Sequence, residues 1–101
     1  MREVNEIYAG LTLEEVSSAC PEQYDVYDSD GRMVGYLRLR YGMFSVEYPN
    51  VFGDLLLNVE VGDCYAGRFY SDFERTQYLN KAKLCIASRI YEDKRKNNES
   101  E

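Results

Sequence analysis

Eight carboxylates stand in the first 31 residues (Glu3, Glu6, Glu14, Glu15, Glu22, Asp25, Asp28, Asp30) against a single base, Arg2. Such a set can bind a cation, move protons, or present a row of negative charge to a basic partner. The cation reading centres on Asp28-Ser29-Asp30-Gly31. A calcium loop built there needs an oxygen ligand where Val26 stands and a bidentate Glu where Leu37 stands, so the segment reads as a turn instead. Proton transfer is weakened by a second fact: the chain has no His. That removes Ser-His-Asp and Cys-His catalysis, HExxH metal sites and the commonest base near neutral pH. Cys20, Cys64 and Cys85 show no CxxC spacing and read as unpaired structural thiols in a reducing compartment. With these three scattered thiols and no His, no zinc site is expected, and neither a cofactor nor an enzymatic activity is expected. Gly62-Asp63-Cys64-Tyr65-Ala66-Gly67 lacks the Lys-Ser/Thr ending and spacing of a phosphate loop. What remains for the acids is a solubilising surface or contact with a partner.

The elements that position these groups are read from turns and periodicity. Asp30-Gly31 and Tyr41-Gly42 each fit the two-residue loop of a hairpin, because Gly supplies the positive φ such loops need. The first turn pairs Tyr24 with Leu37 and Val26 with Gly35; the second pairs Leu37 with Val46 and Leu39 with Phe44. Both place Tyr24, Val26, Leu37, Leu39, Phe44 and Val46 on one face, and a slip of one residue would break that agreement. A three-stranded antiparallel meander with one buried face follows. Alternation over Leu55–Val61, with Leu55, Leu57, Val59 and Val61 on one side, adds a fourth strand, and Tyr65–Tyr70 a short fifth.

Two helices are expected. Thr12 and Glu15 form a capping box, with Leu13, Val16 and Cys20 on one face and Pro21 as the stop. Residues 1–10 are read as ragged, or as an edge strand through Ile7 and Tyr8. Ser71-Asp72-Phe73-Glu74 is a second capping box that opens a long helix with the stripe Leu79, Ala82, Ile86, Ile90, supported by Tyr78 and Cys85. Its bases Lys81, Lys83, Arg89, Lys94, Arg95 and Lys96 read as a solvated face with ends that complement the helix dipole. The expected architecture is α+β: a short N-terminal helix, a four- to five-stranded antiparallel meander, and a long C-terminal helix packed on one sheet face. At 101 residues it is a single domain over 1–96, with 97–101 as a disordered polar tail.

On the face of the meander turned from the core, the same register sets Asp25 beside Tyr36 and Glu47, Tyr27 beside Val34, Arg38 beside Ser45, and Arg40 beside Met43. Aromatics beside arginines could stack nucleic-acid bases, and they are also what protein interfaces enrich; the plain alternative is a solvated sheet face, or one partly covered by the N-terminal helix. The net charge of −6 opposes tight direct binding of nucleic acid, which depends on cations releasing counterions. No apolar run has the length of a membrane span, and the acidic N-terminal stretch differs from a signal peptide, so a cytoplasmic protein is expected.

The run VGYLRLRYGMFSVEYP, preceded by YDVYDSDGR and followed by YLNKA near residue 78, resembles small proteins of phages and mobile elements of Gram-positive bacteria over about residues 20 to 87. The overall character, small and acidic, resembles that of anti-CRISPR proteins. The resemblance implies a non-enzymatic inhibitor of a host defence protein, such as the CRISPR nuclease Cas9, acting in the host bacterial cytoplasm. Carboxylates Glu14, Glu15, Glu22, Asp25, Asp28, Asp30 and Glu47 would then occupy a site meant for DNA, with Tyr27 and Tyr36 as anchors and Arg38 and Arg40 alongside. The rival expectations are a nucleic-acid-binding regulator using Tyr36, Arg38 and Arg40, and a homodimeric assembly protein joined through a sheet edge or face.

Overall fold

A computed structural model describes residues 2–62 and 67–99, the last two by their backbone alone. Helix α1 (Arg2–Ala9) comes first, followed by strands β1 (Thr12–Ser18), β2 (Glu22–Tyr27), β3 (Met33–Arg40), β4 (Met43–Tyr48) and β5 (Asp54–Glu60), and then helix α2 (Asp72–Glu99). The five strands form one antiparallel sheet in sequence order, so the meander extends from edge to edge. The class is α+β.

The central register is as expected: Tyr24 pairs with Leu37, Val26 with Gly35, Leu37 with Val46 and Leu39 with Phe44. Tyr41 and Gly42 have φ of 52° and 74°, the pair of positive values that a tight two-residue hairpin loop needs. The first turn differs from expectation. Tyr27 pairs with Met33 rather than Val34, and a bulge turns Val34 toward the core. The connection is a loop in which Asp28 Oδ1 accepts the N–H groups of Asp30 and Arg32, each at 2.9 Å, while Gly31 takes φ 80°. A second bulge, at Leu56, packs that residue against the core and turns Leu55 outward.

The N-terminal third departs most from expectation. Thr12–Ser18 is edge strand β1 rather than a helix, and the helix is α1, where a ragged end or an edge strand was expected. The physical reason is legible afterwards. Val4, Ile7, Tyr8 and Leu11 follow the i, i+3, i+4, i+7 spacing of a helix face, and all four pack in or against the core. Thr12 and Val16 are β-branched, and pairing with β2 satisfies the backbone groups that face that strand along the whole segment.

Both helices lie on one side of the sheet. Ala82, Ile86 and Ala87 of α2 are fully buried against Val26, Leu37, Leu39, Phe44 and Val46. Gly35 lets α2 come close to the sheet: a Cβ built there would stand 2.5 Å from Ile86 Cδ1. Phe44, Phe69 and Tyr78 form an aromatic trio with ring centroids 5.4–5.7 Å apart. The Ser71 hydroxyl accepts the Glu74 N–H at 3.1 Å, as the expected cap requires, and the Glu74 carboxylate reaches back to the N–H of Tyr70. Helix α2 runs through Asn97 to Glu99, further than the expected boundary of the polar tail. Tyr65 and Ala66, within the expected fifth strand, and Cys64 lie outside the described residues; Gly67–Tyr70 is not strand.

Candidate functional site: the open face of the sheet

Because both helices occupy one side, no described element covers the other face. Its side chains follow from the pairing. One row runs Glu14–Asp25–Tyr36–Glu47–Leu55 across all five strands, and the next runs Ser17–Gln23–Arg38–Ser45–Asn58. Beyond them stand Arg40, Met43 and Glu60, and Tyr27 lies past Asp25 on β2. Of the expected contact residues, Glu14, Asp25, Glu47, Tyr27, Tyr36, Arg38 and Arg40 therefore share this face.

Their environments differ. The Tyr36 hydroxyl donates to Gln23 Oε1, which holds the ring on the surface. Burial raises the Tyr36 pKa; Arg38 opposes that shift, and Glu47 and Asp25 add to it. The Tyr27 pKa is also raised, by burial first and then by the Glu14 and Asp25 carboxylates. Glu47 Oε2 accepts the N–H of Phe52, so one of its oxygens is engaged. The Arg40 guanidinium sits 4.8 Å from the centre of the Tyr41 ring. No carboxylate of the described residues forms an ion pair with Arg38 or Arg40, although both line a hollow of about 370 Å³ with Tyr41, Met43, Ser45, Glu47, Leu55 and Asn58.

The remaining expected acids are placed elsewhere. Glu22 is no contact residue: it is 1% exposed and lies on the core side of β2. Its Oε2 accepts from Arg75 Nε at 2.8 Å and from the Tyr24 hydroxyl, and its Oε1 accepts from Arg75 Nη2 at 3.2 Å and from the Phe69 N–H at 3.1 Å. Burial pushes its pKa up, but the Arg75, Tyr24 and Phe69 donors outweigh that and hold it below the usual value. The signal for this was present in the alternation Glu22, Tyr24, Val26, which puts the carboxylate on the buried side. Asp28 is taken up by its own loop and by Arg32, at 3.7 Å. Glu15 is exposed but pairs with Tyr24, so it belongs to the opposite face. Asp30 is exposed in the β2–β3 loop.

Two of the α2 bases are engaged rather than simply solvated. Lys83 lies over the Tyr8 ring at 4.5 Å, and Arg89 is held by Asp54 and by Asp93, the latter at 3.2 Å. Cys20 and Cys85 are free thiols, and burial raises the Cys85 pKa against the opposing pull of Lys81. Among the described residues no three His, Cys, Asp or Glu side chains converge to hold a metal ion, and no helix is long and apolar enough to cross a membrane.

No protein-family model, curated protein or solved structure matches the chain.

Proposed function

We propose that the protein is a non-enzymatic inhibitor that lays the open face of its sheet on a basic, nucleic-acid-binding surface of a bacterial defence nuclease, a CRISPR effector such as Cas9, in the host cytoplasm. The observation that carries this reading is the uncovered row Glu14–Asp25–Tyr36–Glu47, which sets three carboxylates about a half-buried Tyr on a hydrogen-bonded sheet. Desolvated charge pairs around an aromatic anchor give tight contact with fast, salt-sensitive association. Tyr27 extends the anchor, and Asp30 can meet a basic group from the loop. Glu22 and Asp28 serve the fold, and Glu15 faces away from this surface.

The test is a DNA-cleavage assay with a guide-loaded Cas9 from a Gram-positive host. Added protein is expected to protect the target DNA, and the variant Glu14→Lys, Asp25→Lys, Glu47→Lys is expected to abolish protection while keeping the fold by circular dichroism. Replacing Cys20, Cys64 and Cys85 with Ser should leave protection intact. Absence of protection, or protection that survives the charge reversal, would overturn the reading.

A second reading, a nucleic-acid platform, is favoured by the Arg38 and Arg40 side of the same face, where Tyr36 and Tyr41 flank two arginines that pair with no carboxylate among the described residues. The net charge of −6 weighs against it.

A further inference from the structure

We infer that the open face is self-complementary and that two copies of this chain pack through it around a two-fold axis. The inference starts from the register. Tyr36 is flanked on its row by Asp25 on β2 and Glu47 on β4, and Arg38 stands two residues along β3 on the same face. Consider an axis lying between two facing sheets, perpendicular to β3 and midway between Tyr36 and Arg38. It lays each Arg38 over Tyr36 of the second copy, between the second copy's Asp25 and Glu47. Every such contact occurs twice, as an isologous interface requires. A guanidinium over a Tyr ring with a carboxylate on either side combines cation–π attraction with two opposite charges. The same axis sets Asp25 opposite Gln23 and Glu47 opposite Ser45 of the second copy, so no like charges meet near the axis. Arg38, which forms no ion pair with a carboxylate of the described residues, gains one.

Area decides how tight this can be. Five strands at about 4.8 Å spacing and about seven residues at 3.3 Å give a plane of roughly 500 Å² per copy. Sheet twist of about 20° per strand concentrates contact on β2, β3 and β4. The total, about 1,000 Å² if all five strands touched, falls to about 700 Å² over those three, below the usual size of stable interfaces, and fits a weak, reversible dimer rather than an obligate one. The inference goes beyond the inhibitor reading and does not rest on it. If both hold, the second copy and the nuclease compete for one face, with Arg38 of the second copy standing where a basic group of the target would stand.

Sedimentation equilibrium of the purified chain, from micromolar to millimolar concentration, is the test. The native chain is expected to dimerise reversibly, with weakening as salt rises. Arg38→Glu places a Glu against Asp25 and Glu47 of the second copy and should weaken the dimer by about 100-fold. The variant Asp25→Lys, Glu47→Lys should weaken it similarly. Mixing the two variants restores opposite charges at both contacts, so a one-to-one heterodimer should form from chains that do not associate alone, which also shows that both are folded. A native chain that stays monomeric throughout, a dimer indifferent to Arg38→Glu, or variants that fail to associate on mixing would each overturn the inference. Because only the chain itself is present, failure in the cleavage assay leaves this result standing, and the converse also holds.

Discussion

The buried Glu22–Arg75 pair shows how a single residue changes its meaning with its side of a strand. In composition Glu22 is one of eight early acids; in the fold it binds β2 to the start of α2 and to the backbone of Phe69. Removing one member of a buried pair strands the other, and Arg75→Ala is expected to cost about 3 kcal/mol in chemical denaturation. The pH dependence has a definite sign. Since the folded pKa of Glu22 is held below its unfolded value, the contribution is complete above the ordinary Glu pKa of about 4.3 and is lost as pH falls through the folded value. Native protein should therefore lose stability on acidification below about pH 4, and Glu22→Gln should be less stable at neutral pH with a flatter acid limb. An unchanged acid limb in that variant would refute the assignment. Tyr24, whose pKa is raised by burial and by Glu22, donates to the carboxylate throughout this range.

At the scale of elements, the meander and α2 could be read from the chain because each carried two agreeing signals. The two turns agreed on one face for β2, β3 and β4, and the Ser71 cap agreed with the stripe through Ala82 and Ile86. The N-terminal third carried conflicting ones. A local capping pattern at Thr12 competed with the pairing of β1 to β2, and the pairing, whose partner is a separate strand outside the local window, prevailed. The bulges at Val34 and Leu56 were illegible for a related reason: one extra residue is set by packing against the core, and period-two alternation alone cannot announce it. Most of the open face survived these shifts because its central rows depend only on the two hairpins. The contact between Gly35 and Ile86 offers a direct check on how α2 sits. Gly35→Val should destabilise by about 1–3 kcal/mol through overpacking. Combining it with Ile86→Ala should cost less than the sum of the single changes, a coupling that thermal or chemical unfolding can read. Strict additivity would mean that the two residues do not meet.

For the whole molecule, charge and shape act together. Acids outnumber bases by 18 to 12, and the two open-face arginines share the sheet face with Asp25 and Glu47, with Gln23, Ser45 and Met43 as their cross-strand neighbours, rather than forming a basic patch. Direct binding of single- or double-stranded DNA or RNA at physiological salt should therefore be weak in anisotropy assays. Sub-micromolar binding that falls steeply with salt would move the function to the Arg38 and Arg40 platform. The seating of Ile86 in the notch at Gly35 has a further consequence. A helix keyed into a sheet at one point, with side chains packed on either side, cannot slide along the strands without first lifting off. The strands are thus splinted from behind, and their outer surface behaves as a stiff plate. A ligand that lands on such a plate spends little of its affinity on ordering the protein, so even a modest contact area can hold it.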